Sequence, residues 1–377
     1  MQNDKLKPSL IIPIGLMLFS FFFGAGNLIF PPVLGQMAGE NIGWGMLGFC
    51  LSGVGFPLLG VLAVAMKKSD NPDAIAMPMH PLYARAVTVL CALAIGPLFA
   101  IPRTAAVSFD TGVSALLPAA FDGFGLPLYS VFFFILTYFF SINPSKIIGS
   151  IGNFLSPMLL ICLGVLVVCV LVNPTGSLQM PNPEFTTTPF FRGFQEGYNT
   201  MDLLAAILFG SITIKAIEAQ GITDKAVLTK LCSYAGMIAA FFLAIIYVAL
   251  AYTGALSINV FGIIPNGATL LSKICTYYMG FGGQIVLALI IFFACLTTSI
   301  GLTTAISGYF AELSNNRIQY ERLVLFISAF SLFVANFGLE NIINFSIPVI
   351  CMLYPIIIAL VILNIGHVII QDDSLTF

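Results

Sequence analysis

Charged residues are scarce in this 377-residue sequence: Asp, Glu, Lys and Arg make up 8% of it, whereas hydrophobic residues make up 59%. A soluble domain is about one quarter charged, so the composition excludes that class and indicates a polytopic membrane protein surrounded by lipid. The formal net charge is −2 and no long basic run occurs, which argues against a nucleic-acid partner. No obligate protein partner is evident.

Histidine is also rare, since His80 and His367 are the only two. A membrane-embedded enzyme would need HExxH or a Ser, His and Asp set within its spans. Two histidines near the predicted membrane boundaries do not provide either, so the sequence predicts no enzyme and no catalytic residue. The eight cysteines lack CxxC spacing and are interpreted as small core residues rather than disulfides or metal ligands.

Charges and Pro/Gly clusters divide the chain into about ten predicted membrane spans within one domain, residues 1–377. The spans lie near residues 9–36, 42–66, 82–102, 126–142, 147–172, 197–217, 231–257, 277–311, 322–339 and 342–370. A cytoplasmic N-terminus would place most Lys and Arg residues on the cytoplasmic side, as the positive-inside rule requires. The sequence therefore predicts that orientation.

The first predicted span contains Gly24-Ala25-Gly26-Asn27 and a Pro31-Pro32 stop, within an uncharged run from Pro8 to Gly39. Such residues interrupt a helix, and in a membrane every freed backbone group needs a partner. We therefore expect a broken helix, whose free N–H groups bind a carboxylate and whose free carbonyls bind an ammonium group or Na⁺. The alternative is that the small residues let two helices pack closely.

The sixth predicted span is unusually short, because only the 12 uncharged residues Leu203 to Ile214 separate Asp202 from Lys215. The sequence predicts a second break within Leu208-Phe209-Gly210-Ser211. Short or interrupted spans at matching positions of two halves indicate an inverted-repeat transporter with a site at mid-membrane. The predicted five-helix repeats are residues 8–173 and 197–371.

Hydroxyl side chains cluster in the eighth predicted span, at Thr297-Thr298-Ser299, one turn after Ala294. Such hydroxyls can simply bond back to carbonyls of their own helix. Oxygen ligands also suit a hard cation such as Na⁺, and carbonyls from the broken first span could complete the shell. We expect Asp202 near a span end and Arg103 paired with Asp110. No ionisable group is then left in a span centre, so Na⁺ is favoured over H⁺ as the coupling ion.

Several motifs resemble the branched-chain amino acid:cation symporters of the BrnQ type. They are Gly24-Ala-Gly-Asn-Leu-Ile-Phe-Pro-Pro32 followed by Gly39-Glu40, Arg103-Thr-Ala-Ala106, Thr200-Met-Asp-Leu-Leu-Ala-Ala-Ile-Leu-Phe-Gly210 and Val334-Ala-Asn-Phe-Gly338. The resemblance implies an all-α, five-plus-five inverted-repeat fold like that of the sodium-coupled leucine and neurotransmitter transporters. It also implies a bacterial inner-membrane protein that carries leucine, isoleucine or valine. Members usually have about twelve spans, and ten are predicted here.

The resemblance also implies site residues. The carbonyls of Ser20, Phe23 and Ala294, with the hydroxyls of Thr297 and Thr298, match a sodium shell. The backbone of Gly24, Ala25 and Gly26 matches a carboxylate cradle, Phe209 matches an aromatic lid, and Asn27, Ala205 and Ala206 complete the predicted substrate-binding set. One cation is expected, because Leu204 stands where a second site would need a threonine.

Three alternatives stay open. They are proton coupling in place of Na⁺, a non-transporting amino acid sensor of the same fold, and a channel. A channel would need a repeated polar stripe along several helices or an assembled filter, and the sequence shows neither.

Overall fold

The chain folds entirely into helices and connecting loops in the part that the computed structural model describes, residues 8–67, 71–117, 123–146, 148–174 and 176–371. Short 3₁₀ and π-helical turns extend or join several α-helices. The α-helices are α1 (Pro8–Phe22), α2 (Ala25–Ala38), α3 (Ile42–Cys50), α4 (Phe56–Met66), α5 (Pro81–Leu93), α6 (Ala100–Val107), α7 (Gly125–Ser141), α8 (Ser156–Val172), α9 (Pro183–Thr187), α10 (Pro189–Glu196), α11 (Asp202–Glu218), α12 (Lys225–Phe261), α13 (Gly267–Leu313), α14 (Tyr320–Ala335) and α15 (Leu339–Gln371).

Each of the ten predicted spans overlaps one or two of these helices. By length and apolar composition, 6 helical segments in the described ranges could each cross a membrane, or up to 7 if one bent pair counts as a span. Helices α1 and α7 are apolar but shorter. The all-helical membrane architecture agrees with the prediction, whereas the count of ten remains a prediction.

The chain leaves helical geometry between α1 and α2, where the first break was predicted. Gly24 has an extended backbone (φ −118°, ψ −156°), and α2 begins at the next residue. The predicted stop at Pro31-Pro32 is wrong, because both prolines lie inside α2, which continues to Ala38. Membrane helices tolerate interior proline where neighbouring groups satisfy the freed carbonyls.

The second interruption lies at Met201 and not at Leu208 to Ser211 as predicted. A 3₁₀ turn, Gly197–Thr200, continues α10, Met201 takes a left-handed conformation (φ 65°), and α11 begins at Asp202. The two helical segments meet at 48°, and α11 is continuous to Glu218. Gly210 serves packing instead, because a Cβ there would lie 3.1 Å from the Cβ of Val64 in α4.

Helices α1, α2 and α11 form the centre of the molecule, and nearly all of α2 and α11 is buried. Helix α12 runs beside α1 and α2 at backbone contact distance. A Cβ on Gly35 would lie 1.8 Å from the Ala251 carbonyl oxygen, and one on Gly254 would lie 2.0 Å from that of Pro32. Small-residue packing therefore operates along α2, beside the interruption at Gly24.

Candidate binding site between the two helix interruptions

Asn27 joins the two interruptions in the interior of the protein. Its Oδ1 accepts a hydrogen bond from the Gly24 N–H at 3.1 Å, and its Nδ2 donates to Asp202 Oδ2 at 2.7 Å. Nδ2 also donates to the hydroxyl of Tyr247 in α12, and that hydroxyl donates to Asp202 Oδ2 at 3.1 Å. One buried network thus holds the start of α2, the start of α11 and the middle of α12 together.

Asp202 is the first residue of α11, and it is buried inside the protein. Only 3% of the residue is exposed, because the chain enters α11 from α10 through the bend at Met201. Its carboxyl group lies in the first turn of α11, where the helix dipole favours a negative group. A buried carboxylate at this place was not predicted from the sequence.

Arg103 in α6 is also buried, with 4% exposed, and its expected pairing with Asp110 is wrong. Asp110 lines a separate cavity together with Lys273 and Glu340. The Arg103 Nη1 instead donates to the Asn199 carbonyl at 3.1 Å, and its guanidinium lies 5.9 Å from the centre of the Phe30 ring, within the range of a cation–π interaction.

A small cavity of about 20 Å³ lies between the two interruptions, with room for about one water molecule. Six of the predicted site residues line it, and so do the unpredicted Arg103 and Asp202. Phe209 is one of the six; its ring lies 5.1 Å from that of Phe21 and 5.2 Å from that of Phe22. The predicted residues on the cavity wall are Gly24, Ala25, Asn27, Ala205, Phe209 and Thr298.

Two predicted substrate residues are placed differently. Ala206 faces α4, since a Cβ on Gly60 would lie 2.8 Å from the Ala206 Cβ. Gly26 faces Arg103, because a Cβ on Gly26 would lie 2.9 Å from Arg103 Nη2. Because Gly26 has no side chain, the guanidinium group of Arg103 has room at this position.

The predicted sodium ligands converge where α1 ends against α13. Thr297 Oγ1 lies 3.0 Å from the Ser20 carbonyl oxygen, 3.0 Å from that of Ala294 and 2.9 Å from that of Phe293. Thr298 Oγ1 lies 3.3 Å from the Ser20 carbonyl oxygen. Four of the five predicted ligand atoms, from Ser20, Ala294, Thr297 and Thr298, thus lie together.

Phe23, the fifth predicted ligand, precedes Gly24 at the end of α1. A Cβ on Gly24 would lie 2.7 Å from Thr298 Oγ1, so the chain passes directly against the threonine pair at this point. The absence of a side chain at Gly24 allows this approach. The predicted cation shell and the predicted carboxylate cradle therefore share one wall.

The fold is shared with two solved structures. The chain superposes on MhsT, solved in complex with L-phenylalanine, with a TM-score of 0.65 over 92% of this chain and 88% of that one, at 16% identity. It also superposes on Mhp1, a nucleobase-cation-symport-1 family transporter, with a TM-score of 0.67 over 92% and 77% of the two chains, at 15% identity. The superpositions show the fold, and the apolar helices indicate an integral membrane protein.

Sequence comparison gives the family. Residues 7–377 match the family model described as branched-chain amino acid transport protein. The chain is 46% identical to the branched-chain amino acid permease BrnQ of Bacillus subtilis (strain 168), over 97% of this chain and 83% of that protein. It is 38% identical to BrnQ of Escherichia coli (strain K12), over 96% and 82% of the two chains. The chain belongs to the branched-chain amino acid transport protein family, and it is a transporter rather than an enzyme.

Proposed function

We propose that this protein is a secondary active symporter that imports leucine, isoleucine and valine together with Na⁺. The observation that carries the proposal is the convergence of carbonyl and hydroxyl oxygens from Ser20, Ala294, Thr297 and Thr298 at one point. That point lies beside the cavity between the two interruptions, on whose wall Thr298 also lies. A cation and a substrate bound there would contact the same side chain.

The Ser20 carbonyl is the contact that supports a cation. The Thr297 hydroxyl also lies 2.9 Å and 3.0 Å from the carbonyl oxygens of Phe293 and Ala294, which precede it by one turn of its own helix, as is common for threonine. The Ser20 carbonyl oxygen, 3.0 Å away, comes from α1, and one hydroxyl proton cannot fully serve acceptors from both helices. Hard cations prefer shells of neutral and charged oxygens, and Na⁺ would use these dipoles together.

The substrate proposal depends on the apolar side of the cavity. Phe21, Phe22 and Phe209 supply ring faces and edges, and Ile95 and Leu302 supply aliphatic surface. A branched aliphatic side chain forms no hydrogen bonds, so such walls suit leucine, isoleucine and valine. One methylene changes binding by only about 1–3 kcal/mol, and we therefore expect the three substrates to overlap.

Coupling follows from where the proposed cation would bind. Na⁺ held by Ser20 and by the threonine pair would fix the end of α1 against α13. A ligand shifts a conformational equilibrium only by its differential affinity for the two states. Na⁺ would therefore favour the state in which α1 contacts α13. The cavity is small, so the side chains around it must move apart to admit an amino acid.

The proposal also includes the membrane architecture. It comprises a ten-span core, built from the inverted repeats 8–173 and 197–371, and a cytoplasmic N-terminus. The support is that interruptions occur at Gly24 in the first predicted span and at Met201 in the sixth, which are the first spans of the two halves. Such paired interruptions accompany mid-membrane binding sites in inverted-repeat transporters. Cysteine-accessibility labelling at Lys68 and Lys225, both expected in the cytoplasm, tests the orientation.

Proton coupling is the second candidate, and Asp202 is the observation that favours it. A buried ionisable group within a membrane helix is a candidate for a proton pathway, and Asp202 hydrogen-bonds with Asn27 and Tyr247 between the two interruptions. Under this alternative a proton on Asp202 would replace Na⁺ as the coupling ion.

Counterflow of radiolabelled leucine in proteoliposomes tests the proposal and separates the two ions. Purified protein is reconstituted with internal unlabelled leucine, and entry of label is measured with Na⁺ and with choline at the same pH. The proposal predicts label entry that depends on Na⁺. Label entry that does not depend on Na⁺ but depends on pH would support proton coupling. No label entry with any cation would contradict transport, and it is the result expected of a non-transporting sensor.

A further inference from the structure

Two buried side chains of opposite charge face the same cavity. Arg103 and Asp202 both line the space between the interruptions, and only 4% and 3% of these residues are exposed. Arg103 comes from α6 and Asp202 from α11, so they approach the cavity from different helices. Burying a charge is costly unless a partner compensates it, and the partners of each group therefore indicate what the cavity is built to bind.

The two charges attract each other electrostatically but form no direct ion pair in the described ranges of the chain. Arg103 Nε is fully buried and has no hydrogen-bond partner among the described residues. The hydrogen bonds from Asn27 and Tyr247 to the Asp202 carboxyl group both reach Oδ2, and the Thr200 hydroxyl also interacts with this group. A carboxylate oxygen can accept more than one hydrogen bond. Each group thus keeps bonding capacity, as a donor on Arg103 and as an acceptor on Asp202.

We propose that Arg103 binds the α-carboxylate of the substrate and that Asp202 binds its α-ammonium group, so that the cavity selects an amino acid zwitterion. This inference rests on the proposed function, because it specifies how the transported amino acid is held. A zwitterion carries both charges within one small group, which matches two separated opposite charges on one cavity. Charge-assisted hydrogen bonds of this kind are the strong ones.

The surroundings of each charge fit this assignment. Arg103 Nη2 lies against Gly26, in the first turn of α2, so a carboxylate there would meet the guanidinium and the N-terminus of a helix, which also attracts anions. Asn27 and Tyr247 donate to Oδ2 of Asp202, and the ammonium group would donate to the other carboxylate oxygen. The aromatic and aliphatic walls around Phe209 are left for the side chain.

Substrate analogues that lack one charge test the assignment. Isocaproate is leucine without its ammonium group, and isoamylamine is leucine without its carboxylate. Affinities of leucine and both analogues are measured by competition against labelled leucine with the purified, full-length protein in proteoliposomes. Removing one partner of a buried hydrogen-bonded charge pair weakens binding by about 30-fold or more.

Asp202→Asn should weaken leucine and isoamylamine by about that factor and leave isocaproate within about threefold of the wild type. Arg103→Gln should do the reverse, weakening leucine and isocaproate while sparing isoamylamine. Arg103→Lys keeps the positive charge and should retain more isocaproate binding than Arg103→Gln. If Asp202→Asn does not reach the membrane, Asp202→Ser provides the same comparison.

Asp73→Asn is the matched control. Asp73 is also buried, with 3% exposed, and accepts a hydrogen bond from the Tyr309 hydroxyl at 2.9 Å, but it lies outside this cavity. Its replacement should leave the ratios among the three ligands unchanged. Equal losses of all three ligands in Asp202→Asn would overturn the assignment, and so would a shift in Na⁺ dependence or pH dependence with unchanged ligand ratios.

The result also separates this inference from the proposed function. If the wild-type protein neither binds nor exchanges leucine, the proposed function fails. If the wild type transports leucine but the two variants lack the opposite analogue patterns, the function stands and the roles of Arg103 and Asp202 are wrong.

Discussion

Replacing Gly26 by valine would place a side chain between the two interruptions without straining the backbone. Gly26 lies in the first turn of α2, and its φ is outside the left-handed region that favours glycine. Valine is also a better helix former than glycine. Any loss of leucine uptake in Gly26→Val must therefore come from the space that the side chain occupies.

The expected loss of leucine uptake depends on three atoms that lie close to a side chain at residue 26. A Cβ at residue 26 would lie 2.9 Å from Arg103 Nη2, 3.1 Å from Phe30 Cε2 and 3.2 Å from the Asn199 carbonyl oxygen. Arg103 can shift, but the Asn199 backbone belongs to the α10–α11 bend. Overpacking of this kind costs about 1–3 kcal/mol of stability unless the neighbours shift, so alanine should already displace Arg103 and lower uptake. Valine adds two methyl groups, and we expect it to abolish uptake.

Leucine uptake is measured for wild type, Gly26→Ala, Gly26→Val and the control Gly43→Val, each normalised to the protein found in the membrane. Gly43 is exposed in α3, and a Cβ there would meet no atom within 4 Å. The expected order of uptake is wild type and Gly43→Val together, then Gly26→Ala, then Gly26→Val at background. Normal uptake by Gly26→Val would refute the placement of the substrate beside Gly26.

Three further predictions concern selectivity, the aromatic wall and an ion pair. In competition assays, valine and isoleucine should displace labelled leucine at similar concentrations, whereas lysine and glutamate should not; displacement by lysine as strong as that by valine would contradict an apolar pocket. Phe209→Ala removes a side chain that is 1% exposed, so the free energy of unfolding should fall by about 3–5 kcal/mol, as for a fully packed ring. Free phenylalanine should also compete better with labelled leucine. Unchanged stability would contradict the core position of Phe209. Glu312→Gln breaks an ion pair with Lys215, in which the two side chains are 45% and 31% exposed. The free energy of unfolding should therefore change by less than about 1 kcal/mol. A larger loss would show that the pair is more than a surface contact.

The sequence predicted the helical membrane architecture and the first interruption because both follow from local chemistry. Apolar length indicates spans, and the Gly24-to-Asn27 cluster indicates a break in any membrane helix. The hydroxyls of Thr297 and Thr298 could likewise be linked to a cation by their ligand chemistry. That they lie against Ser20 depends on how α1 packs on α13, which only the resemblance implied.

The second interruption was misplaced because glycine has two structural uses. Gly210 was taken for a break, whereas it lets α11 pack on Val64 of α4. The actual bend uses Met201 in a left-handed conformation, and no local sequence signal identifies a methionine for that role. Residue type alone therefore could not place the bend.

Because the bend was predicted in the wrong place, the charged residues of the site were not predicted either. With a break expected near Gly210, Asp202 is predicted near a span end, where a charged side chain can reach water. The general rule that ionisable residues within spans are functional would have identified Asp202, whereas Arg103 lies just beyond the third predicted span, 82–102. Tyr247 gave no such signal, because its hydroxyl gains a role only when α12 lies beside Asn27 and Asp202.

Leucine uptake as a function of external Na⁺, at fixed pH and membrane potential, tests the central claim most directly. It is compared among wild type, Thr298→Ala, the double variant Thr297→Val/Thr298→Val, and the control Thr303→Val. Thr303 lies buried in the same helix, and its hydroxyl has no hydrogen-bond partner among the described residues. Wild type and Thr303→Val should show the same Na⁺ dependence.

Thr298→Ala should raise the Na⁺ concentration for half-maximal uptake by about 10- to 150-fold, since an interaction with a charged group contributes about 1.5–3 kcal/mol. The double variant should lose Na⁺-coupled uptake, while its leucine binding at saturation weakens less. Uptake that is indifferent to Na⁺ in all four proteins and follows a pH gradient instead would contradict the sodium site at Ser20, Ala294, Thr297 and Thr298.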